Sequence, residues 1–126
     1  MWSVSINDSF SAAHFLREYP GDCANLHGHN FDVELCVSSQ ELDKLGMVVD
    51  FKILKSELKS IMKELDHNCL NNIKFFKEHN PTAENLSFYI FKKFTELFKA
   101  SQPHICISYV KVFESGKAWA MYTQTS

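Results

Sequence analysis

The chain has 126 residues, 45% of them hydrophobic and 13% aromatic, and its 13 Lys and Arg against 15 Asp and Glu leave a net charge of -2. A chain this long buries roughly two thirds of its unfolded surface, so it needs neither disulfides nor metal merely to fold. Eleven Phe with only four Gly and three Pro exclude a disordered or fibrous chain, and a single arginine, Arg17, argues against nucleic acid as a partner.

The first strand is predicted over about Trp2 to His14. Trp2, Val4 and Ile6 alternate with polar residues, and the same phase resumes at Phe10, Ala12 and His14 after a bulge near Asp8. Leu16 to Leu26, with Pro20-Gly21-Asp22, is a loop. His29, Phe31, Val33, Leu35 and Val37 then mark the clearest strand. Asp50 caps a helix whose stripe is Phe51, Leu54, Leu58, Ile61, Met62 and Leu65, ending near Leu65. A loop from Asp66 leads to Asn80-Pro81, read as a cap with proline in the first turn of a second helix. Its apolar stripe is Leu86, Tyr89, Ile90, Phe94, Leu97 and Phe98.

Ile105, Ile107 and Tyr109 alternate in a third strand ending near Glu114. Ser115-Gly116-Lys117 reads as a hairpin turn into a fourth strand, Ala118 to Thr123. The order β-β-α-α-β-β predicts one α+β domain over residues 1–126. A four-stranded antiparallel sheet carries two helices on one face, and its open edges invite a homo-oligomer. No apolar run approaches the roughly 18 residues that span a bilayer, so no membrane is expected as a partner. The start Met1-Trp2-Ser3-Val4 lacks a basic, apolar leader, and the expected address is the cytoplasm. The four cysteines show no CxxC pair, and most are expected to be small buried apolar residues.

The strongest local signal is His27-Gly28-His29. Residues i and i+2 of a strand share one face, roughly 6.5 Å apart, so both imidazoles can hold one metal ion. If the first two strands pair, His14 joins them. Three neutral imidazoles with a free fourth position describe a catalytic zinc site, although iron and nickel also accept this donor set.

Cys23, four residues before His27, has three open roles: fourth ligand of a closed structural site, proton-transfer group or nucleophile, or inert loop thiol. Asp66-His67 joins a carboxylate to an imidazole that it can orient for proton transfer. A solvated helix end also looks like this, but the helix dipole disfavours Asp there. Glu114 is either an ordinary strand-end residue or a carboxylate accepting paired N–H donors from a heterocycle such as a 2-amino-pyrimidinone.

Several segments together carry a resemblance. They are Ser11-Ala12-Ala13-His14, Cys23 through Asn30, Gly46 through Lys55, Leu65 through Asn71, Asn80-Pro81-Thr82-Ala83-Glu84-Asn85 and Phe113-Glu114-Ser115. In this order the chain resembles the 6-pyruvoyltetrahydropterin synthase / 6-carboxytetrahydropterin synthase family over nearly its whole length. The resemblance implies the tunnelling fold, with sheets joined across subunits in a trimer or hexamer. It also implies zinc on His14, His27 and His29, with Cys23, Asp66 and His67 as the catalytic relay. Glu114 would anchor the pterin ring, with Thr82 near that pocket.

The implied activity is a zinc lyase acting on 7,8-dihydroneopterin triphosphate. The spacing Cys23-x-x-x-His27-Gly28-His29 resembles the carboxy branch of queuosine and other deazapurine biosynthesis. That branch releases acetaldehyde and triphosphate and leaves 6-carboxy-5,6,7,8-tetrahydropterin. The pyruvoyl branch is the alternative, and a non-catalytic zinc- or pterin-binding protein a further one. Two features depart from the family's pattern. Ser115 follows Glu114 where threonine is common, and the scarcity of arginine leaves the triphosphate to lysines such as Lys111 or Lys117 or to backbone amides.

Overall fold

A computed structural model describes residues 1–124. Four antiparallel strands lie in the order β1 (Trp2–His14), β2 (His27–Ser39), β3 (Cys106–Ser115) and β4 (Ala118–Tyr122). β1 and β2 pair from Trp2 opposite Ser39 to His14 opposite His27 with no register shift, so the bulge expected near Asp8 is absent. Period-two patterning alone keeps Ile6, Phe10, Ala12 and His14 on one buried face.

The helices cover that face. α1 (Phe51–Met62) is capped by Asp50, whose carboxylate accepts the Lys52 N–H at 2.8 Å. It buries Leu54, Leu58, Ile61 and Met62 and packs along β1, while Phe51, expected in the stripe, is exposed. The helix ends at Met62, and Leu65 is buried from the turn that follows. The segment expected to be a loop up to Asn80 contains a single helical turn, Leu70–Asn72, and a short helix α2 (Lys74–Glu78). Fully buried Leu70 and Phe76 explain this extra order: each anchors a turn in the core.

α3 (Ala83–Ser101) packs on β3 and β4. Its cap is Thr82 rather than Asn80: Thr82 Oγ1 accepts the Asn85 N–H at 3.1 Å, a bond worth about 1 kcal/mol. Leu86, Ile90, Phe94 and Phe98 are buried, whereas Tyr89 and Leu97 only border the core. Each fully buried Leu or Phe contributes roughly 1.5–3 kcal/mol.

Two bulges govern β3. Tyr109 faces Cys36 while Ile107 faces Val37, so Ser108 is the extra residue. The inserted residue flips the phase. Val110 and Val112 enter the core, and Tyr109, expected to alternate with Ile107, turns to the helix-free face and bonds to Glu34. A second shift, between Phe113 and Ser115, leaves Glu114 without a partner on β4. The cysteines depart from expectation too: only Cys36 is buried, Cys23 and Cys69 are half-buried, and Cys106 is exposed.

Candidate active site

The hairpin places the three histidines. His14 is the last residue of β1 and sits opposite His27, the first of β2, while His29 sits opposite Ala12. Strand alternation then points all three rings to the helix side. The ring centroids are 4.5, 4.9 and 5.3 Å apart. Their nearest ring nitrogens all lie within 4.8 Å of one another, a spacing one metal ion can bridge.

The hydrogen bonds decide which nitrogen is free. His14 Nδ1 lies 2.8 Å from the Pro81 carbonyl and His27 Nδ1 lies 2.7 Å from the Asn25 carbonyl. A carbonyl only accepts, so each Nδ1 carries the proton and each Nε2 keeps its lone pair. His14 is 2% exposed, and its Nε2 is buried without a partner. An orphaned buried acceptor costs roughly 1–3 kcal/mol, a cost that a bound cation removes. Burial is the largest effect and lowers the His14 pKa; the Pro81 carbonyl, next in size, opposes it, and the neighbouring His27 and His29 add to the lowering. His14 therefore stays neutral, the form that binds metal. The donor set fits a divalent ion with an open fourth position.

Cys23 stands outside this cluster. It lies half-buried in a single helical turn, Asp22–Ala24, and its carbonyl accepts the Leu16 N–H at 2.8 Å. Its loop starts at His14 and ends at His27, so it rises from the metal-ligand end of the sheet.

Glu114 and Thr82 line one cleft of about 330 Å³ with Leu16, Ala118 and Trp119. Glu114 follows the core-facing Val110 and Val112 in period two, which accounts for its place in this cleft beside Ala118. Thr82 reaches the cleft while capping α3. Lys111 turns away, its ammonium 4.3 Å from the Trp119 ring centroid on the helix-free face.

Asp66 and His67 form a pair of their own. Asp66 accepts the Ser11 N–H at 2.9 Å and contacts His67 Nδ1 at 2.8 Å. The Ser11 N–H, first, and then His67 hold the Asp66 carboxyl below its ordinary range. His67 adopts φ of 58° and donates its N–H to the Ser11 carbonyl at 2.6 Å. The pair is thus stitched to the free edge of β1. The His67 side chain is 82% exposed, and within one chain it does not join the histidine cluster. The sequence reading missed the Pro81 carbonyl that orients His14, because no residue type signals a backbone oxygen.

A model of 6-pyruvoyl tetrahydropterin synthase matches residues 3–125. The chain belongs to this family. A curated relative from Synechocystis, named 6-carboxy-5,6,7,8-tetrahydropterin synthase, is 39% identical over 101 residues, 76% of this chain and 77% of its own. One of the same name from Rickettsia conorii is 29% identical over 124 residues, 84% of this chain and 88% of its own. The solved Caenorhabditis elegans 6-pyruvoyl tetrahydropterin synthase superposes with a TM-score of 0.86 at 30% identity, covering 98% of this chain and 96% of that one. The architecture described above is therefore the tunnelling fold of these enzymes. Among the described residues no helix is long and apolar enough to cross a membrane.

Proposed function

We propose that this chain is a single-domain zinc lyase that converts 7,8-dihydroneopterin triphosphate to 6-carboxy-5,6,7,8-tetrahydropterin, releasing acetaldehyde and triphosphate. The observation that carries this reading is the three-histidine cluster with the unpartnered, buried Nε2 of His14. The names of the Synechocystis and Rickettsia relatives support the carboxy product. The metal reading assigns His14, His27 and His29 as ligands.

Zinc, when bound, supplies Lewis acidity toward the oxygens of the substrate side chain. Glu114 accepts the paired N–H donors of the pterin ring and orients it, and Thr82 shapes the wall beside it. Cys23, in the loop over the metal-ligand end, removes a proton from substrate carbon as a thiolate. Asp66 holds His67 through Nδ1 and leaves Nε2 to exchange a proton with solvent or substrate. The exposure of His67 at the edge of β1 supports its service to a neighbouring subunit's site in a trimer or hexamer. Such an assembly also covers the open edges of the sheet.

A second reading has an observation of its own. The Caenorhabditis elegans structure is named for the pyruvoyl product, and the same residues serve an enzyme that eliminates triphosphate and keeps the carbon chain intact. Product analysis separates the two. Zinc-loaded protein is incubated with 7,8-dihydroneopterin triphosphate, and pterins and acetaldehyde are resolved. Acetaldehyde with a carboxylated tetrahydropterin is expected. A pyruvoyl product without acetaldehyde establishes the second reading, and no turnover by the zinc-loaded protein sinks both.

A further inference from the structure

The loop that carries Cys23 is held by a side-chain ladder outside the catalytic set. After β1 the backbone of Phe15, Leu16 and Arg17 meets three different partners. Asn71 accepts the Phe15 N–H through Oδ1 and donates Nδ2 to the Phe15 carbonyl, both at 3.0 Å. Asn80 repeats the pattern on Arg17, accepting its N–H at 2.9 Å and donating to its carbonyl at 3.1 Å. Between them the Leu16 N–H donates to the Cys23 carbonyl at 2.8 Å.

The physical logic is that of a strand pairing. A primary amide offers an acceptor and donors in one plane, so it can stand in for a peptide opposite a single residue. Neighbouring peptide groups of a strand-like segment point to opposite sides. With residues 15 and 17 turned toward the two asparagines, residue 16 is turned toward Cys23.

Both asparagines are braced. Asn71 is buried in the turn Leu70–Asn72. The Asn80 carbonyl accepts the Thr82 N–H and the Asn85 side-chain amide, each at 2.8 Å. The next carbonyl, of Pro81, orients His14. One short segment therefore fixes a metal ligand through one residue and the Cys23 loop through the residue before it.

We propose that Asn71 and Asn80 are positioning residues for Cys23: their amides clamp Phe15 and Arg17 so that Leu16 holds the Cys23 turn at the histidine end of the sheet. This rests on the proposed role of Cys23 and assigns neither asparagine a contact with substrate.

The test uses Asn80→Ala and Asn71→Ala in the full-length, zinc-loaded protein. Loss of either clamp is expected to lower kcat roughly 10- to 100-fold, the scale of a misplaced reacting group. Zinc content should stay near wild type, because the three histidine side chains are untouched. A second measurement needs no turnover: iodoacetamide labelling of the zinc-loaded protein, followed by peptide mapping. Cys23 labelling is expected to change at least about fivefold relative to Cys69 and Cys106, as its loop opens locally.

Unchanged kcat and unchanged Cys23 labelling overturn the proposal. So does a fall in kcat matched by loss of zinc or of folded protein in the half-buried Asn80 variant, which means a purely structural role. If the wild type has no turnover, the functional reading fails, while the Cys23 labelling ratio still decides whether the clamp exists.

Discussion

The histidine cluster and the Asp66-His67 pair are built differently. The histidine end is closed: His14 is buried, two ring nitrogens are oriented by backbone carbonyls, and one nitrogen lacks only an electrophile. The Asp66-His67 corner is open: it is tied to the edge of β1 through Ser11, yet the imidazole faces solvent. A strand pair fixes ligand geometry to within side-chain rotation, which a metal site demands. The proposed proton-transfer pair, exposed on a sheet edge, is left open to whatever covers that edge. The contrast predicts that damage at one end costs metal, and damage at the other costs only rate.

The largest effect is expected from His27→Ala. It removes one of the three proposed ligands, so metal content measured by elemental analysis should collapse and turnover should vanish with it. Retention of zinc with full activity would break the contrast outright. Cys23→Ala comes next, with kcat expected to fall about 10²–10⁴-fold at unchanged zinc content. Loss of zinc in that variant would instead make Cys23 a fourth ligand. His67→Ala should lower kcat by a similar or smaller factor and leave the melting temperature within a degree or two, because an exposed side chain contributes little to packing.

Glu114→Gln sharpens the picture on the substrate side. Replacing a charged acceptor by a neutral one should lower kcat/KM about 10- to 100-fold, mainly through KM. Zinc content should not change.

The smallest effect is a pH dependence at the open corner. Asp66 is held below the ordinary carboxylate range, first by the Ser11 N–H and then by His67. A depressed pKa means the folded state prefers the anion. Its stabilising contribution is therefore present above the unfolded value of about 3.9 and is lost as pH falls through the folded value. Urea unfolding of wild type and Asp66→Asn should differ at pH 7 and converge in acid. A gap that widens in acid would contradict the assignment.

Much of this was legible in the chain. Period-two runs marked β1 and β2, and with them the meeting of His14 with His27 and His29, because the pairing of two patterned strands leaves little freedom in register. Helical spacing located α1 and α3. Residue chemistry singled out Cys23, Asp66, His67 and Glu114 as candidates, and the resemblance added Thr82 and the role implied for each. What misled was local: Asn80 looked like a cap, yet its side chain is engaged by Arg17 and Thr82 takes the end of α3. Ile107 and Tyr109 looked like one face, yet Ser108 is inserted between them.

The sequence by itself determined the element order, the buried faces and the three-histidine constellation, since these follow from periodicity and residue chemistry along the chain. Only the tertiary structure decided which imidazole nitrogen is free, how the insertion of Ser108 turns Tyr109 to the helix-free face, and that Asp66-His67 sits exposed on the edge of β1. Each of these depends on a backbone carbonyl, an inserted residue or a neighbouring strand far away in sequence. Hydrogen-bond direction and bulge position are set by partners in space, and residue spacing carries no record of them.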